Sequence, residues 1–219
     1  MSIKTNPDEH ISQVAAGYDA VGEAYFDFYR TDIPEKVTSY VDHFADKLQP
    51  GSSVLELGCG NGLPVSKNLA TTFNLTGIDV SEKQIERARE NVPNAEFLAS
   101  DMSKLDYPSD SFGGVIALYS IIHLPRELHG ELFDSIFSWL TPGGVFLATF
   151  ASTETEIWIE DDWFGAPMYW SGYSPDRTKE MIKESGFVIE SARIEEIREP
   201  EKTEDEPERH LWVVARKPN

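Results

Sequence analysis

The chain has 219 residues, 40% of them hydrophobic, with 38 Asp and Glu against 19 Lys and Arg for a formal net charge of -19. That balance supports one packed domain, while the acidic excess repels phosphate backbones and anionic membranes at long range, so neither nucleic acid nor a membrane is an expected partner. The single cysteine, Cys59, excludes an intramolecular disulfide and a cysteine-built zinc site; with no apolar signal core near Met1 and no stretch near the ~20 apolar residues that span a bilayer, a cytoplasmic protein without a bound metal is expected.

Residues 10–48 place Val14, Tyr18, Val21, Tyr25 and Phe28 at spacings of three and four and predict two helices capping the remainder. From about residue 50, short apolar runs alternate with helix-like stretches, the pattern of a parallel sheet covered by helices. The runs Ser53–Leu57, Leu75–Asp79, Ala95–Leu98, Phe112–Leu118 and Val145–Phe150 predict five buried strands. Helices are predicted over Leu63–Phe73, Glu82–Asn91 and Arg126–Leu140, with Ser81 as an N-cap and Gly143-Gly144 as a turn. Residues 50–150 then form the core, 151–174 an aromatic insertion, and 175–216 a last helix, Pro175–Ser185, with strands at Phe187–Ile197 and His210–Ala215. Between these strands Arg198–Arg209, rich in Glu and Pro, predicts a solvated hairpin loop.

The first predicted strand runs into Glu56-Leu57-Gly58-Cys59-Gly60-Asn61-Gly62 and then a helix. Alternating glycines suit a turn where a ligand approaches the backbone closely, although an ordinary tight turn accounts for one or two of them. Asp79 ends the second strand some twenty residues later, where a carboxylate can accept hydrogen bonds from ribose hydroxyls, and Asp101 follows the third. All three positions fall on one edge of a parallel sheet and converge on one crevice; the competing reading makes Asp79 a helix cap and Asp101 a turn residue.

With Asp101-Met102, Leu118-Tyr119-Ser120 and Leu140-Thr141-Pro142-Gly143-Gly144, this pattern resembles the class I S-adenosylmethionine-dependent methyltransferases over about residues 10–216. The resemblance implies a Rossmann-like α/β fold: a seven-stranded, mostly parallel sheet with an antiparallel last strand, helices on both faces and an N-terminal helical cap. It implies S-adenosyl-L-methionine as cofactor, leaving S-adenosyl-L-homocysteine. The loop from Glu56 through Gly58, Cys59, Gly60, Asn61 and Gly62 is expected to lie against its methionine and ribose portions. Asp79 with Val80 holds the ribose, Asp101 and Met102 the adenine, Leu118 and Tyr119 line the crevice, and Tyr18 and Tyr25 reach in from the cap, with Tyr18 near the methionine carboxylate. A dehydrogenase binding NAD is the nearest alternative, but its third glycine falls where this chain has Leu63. A protein that binds the cofactor without transferring its methyl group is the other.

The expected acceptor is a small molecule, methylated on O, N or S by a monomer or homodimer. His123, just past the fourth strand, is the candidate general base, as an imidazole near its ordinary pKa, with a loop-bracing role as the alternative. Tyr29, His123, Trp158, Trp163, Met168, Trp170 and Tyr173 are the candidate acceptor wall, since the aromatic insertion overhangs the same edge; folding back on the sheet is the competing role for any one of its tryptophans. His10, His43, His129 and His210 are assigned to surface or packing roles. No Asn/Asp-Pro-Pro-Tyr sequence of nucleobase and glutamine methyltransferases follows the fourth strand, and one thiol is too few for arsenic chemistry.

Overall fold

The computed structural model describes residues 6–29, 34–197 and 208–219, with the side chains of residues 22–29, 197 and 208 outside that description. Alternation along each central strand decides the architecture, because successive side chains point to opposite faces. Leu55, Val115, Ala117, Phe146, Ala148, Leu211 and Val213 pack on one face with Phe133, Ile136 and Ile182. Val54, Ile116, Val145, Leu147, Trp212 and Val214 pack on the other with Val41, Phe44, Leu69, Ile85 and Ala88. Strands with apolar side chains on both faces are thus buried twice, and the sheet is covered on both sides.

In chain order the elements are α1 (Pro7–Tyr29), α2 (Glu35–Ala45), β1 (Ser53–Leu57), α3 (Val65–Leu69), β2 (Asn74–Asp79), α4 (Glu82–Asn91), β3 (Glu96–Ala99), β4 (Phe112–Ala117), α5 (His129–Trp139), β5 (Leu140–Ala151), β6 (Thr155–Trp163), β7 (Ala166–Gly172), α6 (Pro175–Glu184), β8 (Val188–Ile197) and β9 (Glu208–Arg216). The main sheet has seven strands in the order β3-β2-β1-β4-β5-β9-β8. β1 to β5 run parallel, and β9 lies antiparallel between β5 and β8. This is the expected Rossmann-like sheet with its antiparallel last strand.

Three differences from the sequence reading have local causes. The third helix is only Val65–Leu69, with Pro64 at its N-cap and the β-branched pair Thr71-Thr72 past its end. Strand β5 begins at Leu140 and absorbs the expected turn: Gly143, at φ +79°, donates its N–H to the Lys217 carbonyl, so the kink is stitched to the chain's end. The insertion is a two-stranded hairpin, β6–β7, bulged between Glu160 and Trp163. The expected loop at Arg198–Arg209 lies outside the described residues through 207.

Helix α1 packs on β7 and α4, so the cap and the hairpin meet over the ends of β1, β2 and β4. Val14, Met168 and Tyr169 are buried there, with Tyr18, Val80, Trp163 and Trp170 packed against them. Two bonds fasten α1 to α4: Ser81 donates its hydroxyl to Asp19 at 2.5 Å while capping the Gln84 N–H, and Lys83 Nζ reaches the Asp19 carbonyl at 2.9 Å.

Candidate active site

The three loop glycines do three different jobs. A Cβ on Gly58 would lie 2.2 Å from Cβ of Ser120, so the residue is bare because the end of β4 presses on it. Ser120 in turn donates to the Leu57 carbonyl at 2.6 Å. Gly62 packs against Ala88 and Val92 of α4. Only Gly60, at φ +52°, opens onto free space, with nothing within 4 Å of an added Cβ, and its N–H donates to Asp79 Oδ2 at 2.9 Å. The Cys59 thiol points inward against Gly77, which leaves its backbone as the part that can meet a ligand. Asn61 is likewise absorbed by the turn, accepting from the Leu63 N–H and, through its carbonyl, from Asn91. Glu56 lies buried beneath the loop, accepts from Ser66 Oγ at 2.5 Å, and is pushed up to about 8, first by burial and then by nearby Asp79, against the Ser66 bond.

The parallel register puts Asp79 beside Ala99 and brings the ends of β1, β2, β3 and β4 to one edge. Asp79 Oδ1 accepts from the Ser81 N–H at 3.0 Å, and burial raises the carboxyl against these backbone bonds. Asp101 Oδ1 accepts from Ser103 N–H and Oγ at 2.9 and 2.7 Å, whereas Oδ2 is buried without a hydrogen bond, Lys104 Nζ standing 3.5 Å away. A buried carboxylate oxygen of this kind requires a donor. Met102 lies beside it, half-buried against the core.

Past β4 the backbone is strained. Tyr119 holds φ +54°, its N–H bound to Thr149 Oγ1 at 2.6 Å, with its ring edge-on to His210 at 4.9 Å. Leu118 packs half-buried nearby. His123 follows, 8% exposed. Its Nδ1 lies 2.7 Å from the Tyr169 carbonyl, which can only accept, so in the neutral ring Nδ1 carries the hydrogen and Nε2 a lone pair. The Tyr18 hydroxyl donates to that lone pair at 2.9 Å. Burial lowers the ring to about 4, opposed by the Tyr169 bond, which corrects the expectation of an ordinary imidazole. Tyr18 therefore faces His123 here.

Of the expected acceptor wall, the structure gathers Trp158, Trp163 and Trp170 around His123 and Tyr18. Trp158 stacks on Trp170 at 4.7 Å, Trp170 lies 5.6 Å from His123, and Trp163 is edge-on to both Tyr18 and Trp170. Met168 is 1% exposed and fills the seam with α1 at Gly17, and Tyr173 turns away under the Arg126 guanidinium; neither faces His123. The Tyr25 and Tyr29 side chains lie outside the described residues. His10 stacks on Tyr169 at 4.1 Å and His129 is buried on the Leu124 carbonyl, both packing roles as expected. Sequence reasoning missed Tyr169, because it acts through a backbone carbonyl that carries no residue signature, and it missed the Asp19–Ser81 clasp, which joins distant elements.

Residues 54–144 match the model of a methyltransferase domain family. The chain is 30% identical over 207 residues to the 27-O-demethylrifamycin SV methyltransferase of Amycolatopsis mediterranei, covering 83% of this chain and 75% of the relative. A sterol 24-C-methyltransferase of Gibberella zeae is 32% identical over 122 residues, but the match spans 52% of this chain and only 31% of that relative. Among solved structures, the Burkholderia thailandensis 1,6-didemethyltoxoflavin-N1-methyltransferase with bound 1,6-didemethyltoxoflavin and S-adenosylhomocysteine superposes with a TM-score of 0.73 at 16% identity, covering 100% of this chain and 93% of that one. The chain belongs to the class I S-adenosylmethionine-dependent methyltransferases. Its cofactor is S-adenosylmethionine, which the crevice fits: Gly60 leaves a space a side chain would fill, and Asp79 and Asp101 stand at the ends of the successive strands β2 and β3 beside the loop that follows β1, the latter with an acceptor oxygen that has no hydrogen bond.

Proposed function

We propose that the protein transfers a methyl group from S-adenosylmethionine to an O, N or S atom of a small molecule. The single observation that carries this is the convergence of the open Gly60 loop, Asp79, the unsatisfied Asp101 Oδ2 and the His123 aromatic wall on one sheet edge. The relatives support methyl transfer to a small molecule, one named for a demethylrifamycin and one for carbon 24 of a sterol; the choice of O, N or S rests on the sequence reading. The donor supplies an electrophilic methyl on a sulfonium sulfur. Asp79 and the backbone of Gly58–Gly62 are the residues to hold its ribose and amino-acid portion, with Asp101 and Met102 at the adenine and Val80, Leu118 and Tyr119 lining the crevice.

The chain's own task is chiefly positioning. His123 is uncharged at neutral pH, with its Nε2 lone pair fixed toward Tyr18 and the tryptophans, so it can accept a hydrogen bond or proton from an acceptor that displaces the Tyr18 hydroxyl. Tyr18, Trp163 and Trp170 exclude water around it. The whole chain serves as one methyltransferase domain, with residues 10–48 as cap, 50–150 as cofactor core, 151–174 as the acceptor-side insertion and 175–216 completing the sheet.

Among the described residues no helix is long and apolar enough to cross a membrane. The reading places a monomer or homodimer in the cytoplasm, with no nucleic-acid partner; the acidic balance supports it, and light scattering and cell fractionation test it.

The test is calorimetric titration with S-adenosylhomocysteine, S-adenosylmethionine and NAD, repeated on Asp79→Ala. Micromolar binding of both sulfur nucleosides, lost in the variant and absent for NAD, is expected. A folded protein that binds neither refutes the reading. Tight binding with no S-adenosylhomocysteine formed from any small-molecule acceptor favours a protein that uses the cofactor otherwise.

A further inference from the structure

Four rings close a circuit beside the crevice. Tyr18 lies 5.5 Å from His123, His123 5.6 Å from Trp170, Trp170 5.9 Å from Trp163, and Trp163 5.5 Å from Tyr18. Three of the four junctions are near perpendicular, at 89°, 84° and 79°. Four centroids at the corners of a square with such sides would stand about 4 Å from its centre, inside the ~6 Å reach over which an aromatic face attracts a cation. The circuit draws on three separate parts of the chain: α1, the turn after β4, and the hairpin.

Its surroundings favour positive charge. His123 contributes a neutral ring, since its burial opposes protonation. Glu160 pairs with Met168, two positions along from the Trp158–Trp170 pair, and therefore shares the hairpin face that carries Trp170 and packs on α1. Trp158, stacked on Trp170, is 54% exposed, and Tyr18, Trp163 and Trp170 are themselves only partly buried, so the circuit borders solvent.

We infer that this aromatic circuit binds a compact ammonium group, so that the acceptor is an amine-bearing small molecule held by its cationic nitrogen, an inference that rests on the methyl-transfer reading of the crevice. Aromatic packing alone accounts for contacts between pairs of rings, and it carries no preference for charge. A cation site discriminates between a quaternary ammonium and its uncharged carbon isostere.

The experiment titrates the folded protein, with and without S-adenosylhomocysteine, with choline and with 3,3-dimethylbutan-1-ol, its neutral isostere, following tryptophan fluorescence and ligand NMR. Choline is expected to bind at least about tenfold more tightly. Trp170→Leu is expected to erase that ratio, Trp163→Phe to reduce it, and Glu160→Gln to lower choline affinity about threefold. Circular dichroism of each variant establishes that it has folded, and Trp163→Phe keeps a ring in place if Trp170→Leu does not fold. Equal binding of the two ligands, or no binding of choline by folded wild type, overturns the inference. So does a loss in Trp170→Leu confined to S-adenosylmethionine, which assigns the rings to the donor's sulfonium. The S-adenosylhomocysteine titration run alongside judges the donor crevice separately: if that ligand binds while choline shows no preference, the methyltransferase reading stands and the cation site falls.

Discussion

The Tyr18 hydroxyl donates to His123 Nε2 at 2.9 Å, and it can do so because the other ring nitrogen is committed to the Tyr169 carbonyl at 2.7 Å. Helix α1, the turn after β4 and strand β7 are tied together through one imidazole whose tautomer is thereby fixed. Tyr18→Phe leaves Nε2 buried without a donor and is expected to cost about 1–3 kcal/mol in denaturant unfolding. His123→Ala is expected to lower turnover on an accepted small molecule at least about tenfold while changing S-adenosylhomocysteine affinity less than about threefold. Turnover near wild type in His123→Ala would leave His123 as a brace alone.

Gly58 and Gly60 separate stability from binding. Gly58→Ala drives a methyl into Ser120 at a positive φ, and the expected loss is about 3 kcal/mol, or roughly 6–12 °C in Tm for a chain of this size. Gly60→Val meets no protein atom at its Cβ and is expected to cost only about 1–2 kcal/mol for its backbone angle. It fills the cradle, however, and should weaken S-adenosylhomocysteine binding by at least about tenfold. Thermal melts and calorimetry on the two variants check this; a Gly60→Val protein that binds as wild type does would remove the loop from the donor site.

Acid and base act on stability through different buried groups. His123 and His129 are both lowered to about 4 from 6.5, chiefly by burial, so the stability they contribute is present above pH 6.5 and is lost as pH falls from there toward 4. Glu56 is raised to about 8 from 4.5, so its contribution is complete below pH 4.5 and is lost as pH rises through 8; Asp79 is pushed in the same direction. Maximum stability is therefore expected near pH 6.5. Between pH 6.5 and 8 the Glu56 slope stands apart from the histidines, on the order of 1 kcal/mol per pH unit. Glu56→Gln should flatten it in denaturant unfolding series, and parallel declines in wild type and variant would rule Glu56 out as the cause.

Ser81 joins two elements with one hydroxyl, accepting from the Gln84 N–H at 3.1 Å and donating to Asp19 at 2.5 Å. Ser81→Ala is expected to cost about 1–2 kcal/mol, combining a lost helix cap with a lost tie to α1. Faster amide exchange in α1 as well as α4 is the expected signature. Exchange that speeds up in α4 alone would mean that the cap does not hold α1 in place.

The sheet was legible because burial on two faces leaves runs such as Val54–Leu57 and Val145–Phe150 apolar at all but one position, and because parallel strands force the acids Asp79 and Asp101 to one edge. Ser81, as the N-cap of α4, was legible for the same local reason that it caps. The hairpin was not, since Glu160, Asp161 and Asp162 interrupt the alternation of β6 and the bulge shifts its register. Nor was the separation of the three glycines into a close approach, an opening and a helix contact, which depends on Ser120 and Ala88, far away in sequence. The environment of His123 escaped because its burial and carbonyl partner come from the hairpin that carries Tyr169, an element without a strand-like alternation.

Cys59 carries the only thiol, shut behind the glycine loop against Gly77 of β2, and burial pushes its pKa well above the ordinary value. An alkylating reagent meets a reactive sulfur only in molecules whose loop has lifted from the strand. The protein thus contains its own clock for that movement. Labelling proceeds at one site with no mutation needed, and its rate in the presence and absence of S-adenosylhomocysteine reports how far the donor holds the loop closed.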